Sequence, residues 1–169
     1  MNHVATDWPS WTPDLRTTLI FAERDGRVLL IEKKTGIGQG KINGPGGKIE
    51  SGEYPAACAL SELNEELKVN ASQPQLVARL FFSDVADLNI LVYVFFTDQL
   101  IGEPSETREA KPFWADKNSL PLDAMWEDDQ YWLPLVLDGE SIDGYFHFRN
   151  ERLLSFKIQP LGTGSPPQL

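Results

Sequence analysis

The residues best suited to chemistry lie in one stretch, residues 44–69, with the sequence GPGGKIESGEYPAACALSELNEELKV. Within it, Glu65 and Glu66 come three and four residues after Glu62, so on a helix the three side chains share roughly a quarter of the circumference. Like charges at this spacing repel each other unless they are solvated or bound to a cation. Carboxylate oxygens suit Mg²⁺ or Mn²⁺, which proteins often hold together with substrate phosphates. The pattern is compatible with a divalent cation site, but an acidic run taken alone more often marks a solvated helix face.

A glycine-rich bend precedes these glutamates. Residues 44–47 (GPGG) predict a sharp turn of the backbone, and Pro55 suits the first turn of the helix that follows. Glu53 stands between the bend and the helix. An acidic face placed this close to a glycine bend is less ordinary than an acidic run alone, so the combination favours a site over a solvated face.

The stretch resembles the Nudix box, GX5EX7REUXEEXGU with U an aliphatic residue, which is the signature of hydrolases that cleave nucleoside diphosphates linked to another moiety. The residues that match the box are Gly47, Glu53, Glu62, Leu63, Glu65, Glu66 and Val69. Two positions depart from it, because Ser61 stands where the family has arginine and Lys68 where it has glycine. Lys68 predicts that the helix either ends in a left-handed residue or runs on towards Asn70.

The resemblance implies both a fold and a set of catalytic groups. The fold is α+β, a Nudix-type α/β/α sandwich with a mixed sheet, and the cofactor is Mg²⁺ with Mn²⁺ as an alternative. The implied metal ligands are a backbone carbonyl near Gly46 and the side chains of Glu62, Glu65 and Glu66. Two more peripheral acids, Glu53 and Glu109, are candidates for orienting the attacking water.

A second region, AMWEDDQYWLPLVL at residues 124–137, extends the resemblance to one branch of the family. Together with GKINGPGGK and GYFHF it is similar to the oxidised purine nucleoside triphosphate diphosphatases of the eukaryotic MutT-homologue type, over about residues 18–148. In that branch two adjacent aspartates read the base edge, a tryptophan stacks on the purine and an asparagine bonds to the base. The matching residues are Asp128, Asp129, Trp126 and Asn43, and further positions of that pocket correspond to Thr18, Lys33 and Phe82.

The chemistry of these residues suits a purine. An indole stacks on a flat ring, and two adjacent buried carboxyls perturb each other's pKa, so that one donates and the other accepts a hydrogen bond. The plainer interpretation is that Asp128 and Asp129 begin a helix, where acids favour the N-terminal dipole, and that Trp126 belongs to the core.

We therefore expect Mg²⁺-dependent hydrolysis of purine nucleoside triphosphates, including oxidised ones, to nucleoside monophosphate and pyrophosphate. One alternative is a Nudix hydrolase of another substrate, such as a dinucleotide polyphosphate or a nucleoside diphosphate sugar. The other alternative is a weakly catalytic nucleotide-binding or sensor domain, which the departures at Ser61 and Lys68 favour.

Composition sets limits on the class of protein. The 169 residues suffice for one domain, expected over residues 1–160 with an irregular arm at 1–15 and a disordered tail at 161–169. The sequence shows neither a secretory signal nor an apolar run of about 18 residues, so we expect a cytoplasmic protein without a membrane partner. The net charge of −10 argues against a nucleic-acid polymer as partner. A monomer that binds a small-molecule nucleotide is expected.

Local patterns predict the elements that position these residues. Strands at 17–24 and 27–33 form a hairpin across Asp25-Gly26, a strong two-residue turn signal. A strand at 88–97 is apolar on both faces and is therefore expected at the centre of the sheet. A second helix is predicted over 129–137, and further strands at 75–82, 111–115, 145–148 and 153–158.

Overall fold

The computed structural model describes residues 6–162 and shows an eight-stranded mixed sheet with a helix on each face. The helices are α1 (Pro55–Leu67) and α2 (Asp129–Leu137). The strands are β1 (Leu15–Arg24), β2 (Arg27–Lys33), β3 (Ile42–Asn43), β4 (Asn70–Ser72), β5 (Gln75–Val85), β6 (Leu88–Thr97), β7 (Gln99–Ile101), β8 (Ala110–Asp116), β9 (Ile142–Asn150) and β10 (Arg152–Pro160). The predicted α+β sandwich with a mixed sheet is confirmed.

The strand order places β6 at the centre of the sheet. The order is β10-β9-β5-β6-β1-β2-β3, with β8 paired to β2, while β4 and β7 form a separate two-stranded sheet. The pairs β1–β6 and β5–β9 are parallel, and the remaining pairs are antiparallel. A central strand is covered on both faces, which explains why its sequence is apolar throughout.

Alternation along β1 and β2 divides the core into two layers, because successive side chains of a strand point to opposite faces. The layer under α2 includes Phe21, Val28, Leu30, Trp132, Leu133 and Val136. The layer under α1 includes Ile20, Leu29, Ile31, Ala59, Leu63 and Leu67. Each of these larger side chains contributes about 1.5–3 kcal/mol through burial.

The N-terminal arm covers part of the sheet face that carries α1. Trp11 is only 6% exposed, and its ring meets the ring of Phe81 edge-on at 5.8 Å. Phe81 in turn stacks on Tyr145 at 4.9 Å. Sequence predicts an irregular arm over residues 1–15, but Leu15 already belongs to β1 and Trp8–Ser10 forms a 3-10 turn. Residues 1–5 lie outside the described part of the chain.

The predicted turn at Asp25-Gly26 is present, with φ values of +54° and +74°. The hairpin that it closes is short, because β1 and β2 pair only at Glu23↔Val28 and Arg24↔Arg27. After these two pairs the strands separate, and β2 pairs along its whole length with β8 instead.

The glycine segment, residues 44–48, takes the place along β1 that β2 leaves. The N–H of Ile20 donates to the carbonyl of Pro45 at 2.8 Å, and the N–H of Thr18 donates to the carbonyl of Gly47 at 2.9 Å. The bend is therefore fixed against the sheet, and residues 49–54 lead from it directly into α1.

Element boundaries agree with the sequence pattern to different degrees. The predicted bounds of α2 and β6 coincide with those observed, whereas β5, β8, β9 and β10 are longer than predicted and the short strands β3, β4 and β7 were not predicted. Lys68 follows α1 with a φ of +61°, so the helix ends in a left-handed residue. None of the helices in the described part of the chain has the length and apolar character needed to cross a membrane.

The described beginning of the C-terminal tail is held by hydrogen bonds. The N–H of Leu161 donates to the carbonyl of Ser141, and the N–H of Gly162 donates to Asp143 Oδ2 at 3.0 Å. The tail predicted to be disordered at 161–169 therefore starts with two anchored residues. Its remainder, residues 163–169, lies outside the described residues.

Candidate active site

Three carboxylates form the acidic cluster, which we define as Glu62, Glu66 and Glu109. One carboxylate oxygen from each lies within 4.8 Å of the other two. Glu62 and Glu66 lie one turn apart on α1, and Glu109 comes from the loop that enters β8. Hard oxygen donors at this separation fit a divalent cation. Sequence placed Glu109 at the periphery, whereas the structure places it beside the two helix carboxylates.

Glu65 and Glu53, also predicted in the site, lie next to the acidic cluster without joining it. Glu65 is exposed, and Glu53 is half-buried and accepts a hydrogen bond from the N–H of Glu50 at 3.1 Å. Burial is the main cause of the raised pKa of Glu62, and the negative charges of Glu65 and Glu53 add to it.

The glycine segment lies directly against the acidic cluster. The N–H of Gly46 donates to Glu66 Oε1 at 3.2 Å. A Cβ added to Gly47 would lie 2.4 Å from the carboxyl carbon of Glu62, and one added to Gly46 would lie 1.8 Å from the carbonyl oxygen of Thr18. Glycine is therefore required at position 46, where a side chain would collide with the backbone of β1, and a side chain at position 47 would displace the carboxylate of Glu62.

The electrostatics of the acidic cluster favour a bound cation. Burial raises the pKa of Glu62 to about 7, with further contributions from the charges of Glu65 and Glu109. Burial also raises the pKa of Glu66 to about 7, although the hydrogen bond from Gly46 opposes this shift. Both shifts arise mainly from burial, and a nearby positive charge would stabilise the ionised form of these carboxylates. A divalent cation would supply that charge.

Lys33, at the end of β2, links the acidic cluster to the neighbouring cavity. Burial lowers its pKa, while the charges of Glu66, Glu109 and Glu62 oppose the shift. Its Nζ donates to the carbonyl of Ile37 at 2.8 Å, which ties the loop after β2 to the site.

A cavity of about 390 Å³ lies beside the glycine segment, on the sheet face that carries α2. Its lining contains all seven residues predicted to bind substrate: Thr18, Lys33, Asn43, Phe82, Trp126, Asp128 and Asp129. Gly46 and Gly47 line it as well, so the cavity and the acidic cluster share the glycine segment as a common wall.

Asp128 and Asp129 are each 3% exposed. Trp132 Nε1 donates to Asp128 Oδ2 at 2.8 Å. Burial raises the pKa of Asp128 to about 6, and burial together with the charge of Asp128 raises the pKa of Asp129 well above its usual value. Burial and the mutual charge of the two carboxyls therefore favour retention of a proton by the pair, chiefly at Asp129, on one wall of the cavity.

The helix-start interpretation of these aspartates does not account for their side chains. Asp128 is the N-cap residue of α2, but its side chain makes no capping hydrogen bond. Asp129 Oδ2 is buried and has no hydrogen-bond partner among the described residues. A buried carboxyl oxygen without a partner is costly, which suits a group that a ligand completes.

Asn43 and Trp126 supply two other kinds of contact. Asn43 Oδ1 accepts a hydrogen bond from the N–H of Gly44 at 2.8 Å, which leaves the Nδ2 group to donate to a ligand. Trp126 meets Phe148 edge-on at 6.0 Å, and Lys41 Nζ lies 5.0 Å from its ring centroid. Lys41 therefore lies against the Trp126 ring, and it is not among the described residues that line the cavity.

Sequence reasoning missed several residues around the cavity. Trp132 was not predicted to meet the aspartates, although its position four residues after Asp128 on a helix was a signal that the two side chains meet. The apolar wall formed by Leu15, Val85 and Ile90 carried no signal, because its members come from three strands.

The mixed sheet, the acidic helix and the glycine segment packed against it are together the features of a Nudix domain. Residues 13–136 match the family model described as the NUDIX domain, and the chain belongs to the Nudix family. Divalent metal ions are typical of this family, and the acidic cluster offers the matching ligands.

Individual relatives extend the comparison. The chain is 36% identical over 138 residues to an oxidized purine nucleoside triphosphate hydrolase from Danio rerio, covering 81% of this chain and 88% of the relative. It is 34% identical over 148 residues to the protein of the same name from Mus musculus, covering 86% and 95%. The crystal structure of a MutT protein from Bacillus halodurans shares the fold with a TM-score of 0.77 at 24% identity, covering 88% of this chain and 99% of that one.

Proposed function

We propose that this Nudix hydrolase converts oxidised purine nucleoside triphosphates into nucleoside monophosphates and pyrophosphate, with Mg²⁺ as its metal ion. The observation that carries the proposal is the shared wall between the acidic cluster and the cavity lined by Asn43, Trp126, Asp128 and Asp129. A base in this cavity would direct its phosphates towards the glutamates. The names of the Danio rerio and Mus musculus relatives support the same substrate class.

In this proposal the acidic cluster binds the phosphate end of the substrate. Glu62, Glu66 and Glu109 would hold the metal ion, and Glu65 and the backbone carbonyl near Gly46 are the further groups available to it. A bound divalent ion neutralises phosphate oxygens and lowers the pKa of water. Lys33 adds a positive charge between the cluster and the cavity. In-line displacement at phosphorus depends mainly on positioning and charge, so no nucleophilic side chain is required.

The cavity binds the base end of the substrate. Trp126 offers a ring for stacking, Asn43 offers an amide donor, and the aspartate pair offers one donor and one acceptor side by side. Oxidation at C8 of a purine replaces the acceptor at N7 with a donor, and a carboxyl pair with a shared proton can complement such an edge. The remaining predicted acid, Glu53, would orient the attacking water near Glu62.

A substrate panel tests the proposal. Release of pyrophosphate and monophosphate is measured for 8-oxo-dGTP, the four natural deoxynucleoside triphosphates, a dinucleotide polyphosphate and a nucleoside diphosphate sugar. We expect the oxidised purine to exceed the pyrimidines in kcat/KM by at least about tenfold, with activity lost on chelation and restored by Mg²⁺. Faster turnover of the sugar or dinucleotide, or binding without turnover at saturating Mg²⁺, would replace the proposal with one of the alternatives. The monomeric state, the absence of a nucleic-acid partner and the cytoplasmic location stay predictions.

A further inference from the structure

A buried contact between β1 and α1 lies behind the glycine segment. Thr18 and Cys58 are each 1% exposed, and Thr18 Oγ1 lies 3.5 Å from Cys58 Sγ. Ile20, two residues along β1, packs under α1, so alternation directs the Thr18 side chain towards α1 as well. Thr18 lines the cavity, but the contacts of its hydroxyl are with the thiol and the glycine segment.

Both side chains reach backbone carbonyls of that segment. Cys58 Sγ donates to the carbonyl of Lys48 at 3.5 Å and lies 3.7 Å from the carbonyl of Gly47. Thr18 Oγ1 lies 3.5 Å from the same Gly47 carbonyl. Burial is the main reason that the pKa of Cys58 rises to about 11, so the thiol keeps its proton at neutral pH and can act as a donor.

The position of the glycine segment in turn fixes two members of the acidic cluster. Gly47 abuts the carboxylate of Glu62, and the N–H of Gly46 donates to Glu66. A small shift of the segment would therefore change the separation of these carboxylates. The side chains that hold it from behind are Thr18 and Cys58.

We propose that Thr18 and Cys58 are positioning residues that hold the Gly47 and Lys48 carbonyls and thereby set the spacing of Glu62 and Glu66 for the metal ion. The inference rests on the proposed function, because it assigns the acidic cluster to metal binding. Neither residue touches the reacting atoms in this role. An ordinary contribution to core packing is the competing explanation, and it makes a different prediction for metal affinity.

Four variants separate the two explanations. Thr18→Val and Cys58→Ala remove one donor each, and Cys58→Ser keeps a donor. Thr97→Val is the matched control, because Thr97 is 2% exposed and its hydroxyl donates to the Ser72 carbonyl at 2.6 Å away from the cavity. Binding of Mn²⁺, followed by electron paramagnetic resonance without substrate, and the Mg²⁺ concentration for half-maximal hydrolysis are measured together with Tm.

We expect Thr18→Val and Cys58→Ala to weaken Mn²⁺ binding and to raise the half-maximal Mg²⁺ concentration, each by roughly three- to tenfold, as loss of one buried hydrogen bond implies. Cys58→Ser should remain within about twofold of the wild type by the same measure. Thr97→Val should have a lower Tm than the wild type and an unchanged metal affinity. If all the variants have a lower Tm and none has a changed metal affinity, the inference is overturned and the residues contribute to core packing only.

Cys58 also provides a readout that does not depend on activity, because it is the single cysteine of the chain. Alkylation of this buried thiol by a small neutral reagent should be slowed by Mn²⁺ and accelerated by Thr18→Val by at least about threefold, with no acceleration in Thr97→Val. Equal alkylation rates in all of these proteins would contradict the inference. If the wild type binds Mn²⁺ and shows these effects but does not hydrolyse oxidised purine triphosphates, the proposed function fails and the positioning role stands.

Discussion

Glu66 is the member of the acidic cluster that the surrounding structure constrains most. It is 5% exposed, its carboxylate accepts a hydrogen bond from Gly46, and its own carbonyl accepts one from Thr107 Oγ1 at 2.7 Å. Glu65, its neighbour in the sequence, is exposed. Adjacent residues of one acidic run thus occupy different environments, which makes them a matched pair for mutagenesis.

Glu66→Gln should lower kcat by about a hundredfold or more, because it removes a charge directed at the metal ion while it preserves the shape of the side chain. Glu62→Gln should behave similarly. Glu65→Gln should cost clearly less, since Glu65 lies outside the cluster. Steady-state kinetics with circular dichroism as a control for folding would test this prediction. Equal losses in the Glu65 and Glu66 variants would show that the bound metal ion draws Glu65 inward.

Asp129→Asn should reduce kcat/KM for oxidised purine triphosphates by roughly 10- to 100-fold, since the amide cannot share a proton with Asp128 and leaves a buried group unpaired. Pyrimidine substrates should be affected far less. Gln130→Ala, at the exposed next position of α2, serves as the control. An unchanged ratio of purine to pyrimidine turnover would mean that the pair only begins the helix.

At the scale of single elements, the C-terminal end of helix α1 contains a strained backbone conformation. Lys68 has a φ of +61°, a conformation that glycine adopts freely and that a side chain disfavours. Its N–H donates to the carbonyl of Asn64 at 2.9 Å, so the left-handed residue closes the helix. Lysine in place of the family's glycine therefore makes this helix end less favourable in free energy, although the helix still ends in a left-handed residue.

Lys68→Gly should stabilise the protein by up to about 1 kcal/mol, or about 2–4 °C in Tm, because relief of backbone strain exceeds the added entropy of the unfolded chain. Lys68→Ala, which keeps the strain, should not stabilise. Urea unfolding of both variants measures the difference. A gain in both variants would point to loss of the lysine charge as the cause.

Elements with a strong local pattern were predictable from sequence, and contacts between distant segments were not. The bounds of α2 and β6 follow from periodicity and two-sided apolarity within about ten residues. The placement of the glycine segment along β1 depends on hydrogen bonds between residues about thirty positions apart, which no local pattern encodes. Glu109 and the base-pocket residues were reached through family resemblance, and the Thr18–Cys58 contact lay outside both kinds of reasoning.

At the scale of the whole molecule, a net charge of −10 is concentrated in part at the acidic cluster. The pKa values of Glu62 and Glu66 rise from the usual 4.5 to about 7 in the folded protein. The folded state therefore holds more protons than the unfolded state between these pH values. Stability associated with the two groups is full below pH 4.5 and is lost as the pH rises through about 7.

In the metal-free protein, Tm should fall between pH 5 and 8 more steeply for the wild type than for Glu66→Gln, whose neutral side chain does not titrate. Saturating Mn²⁺ at pH 8 should raise the wild-type Tm and reduce this difference, because the ion compensates the ionised carboxylates. Thermal scans at a series of pH values test both statements. Parallel curves for the two proteins would show that the carboxylates are well solvated.

The pairing of β1 with segments that are distant in the sequence also affects the order in which the protein folds. The local hairpin supplies two residue pairs, whereas the parallel pairing that runs from Leu15↔Ile90 to Ala22↔Thr97 requires segments far apart in the sequence to meet. Hairpins form in about 1–10 μs, while sheets built from distant segments take milliseconds to seconds. Because the glycine segment bonds to the backbone of β1, we expect it to dock after that strand is in place, so on dilution from denaturant hydrolytic activity should recover after the bulk of the β-sheet signal. The active site is expected to be among the last parts of this chain to fold.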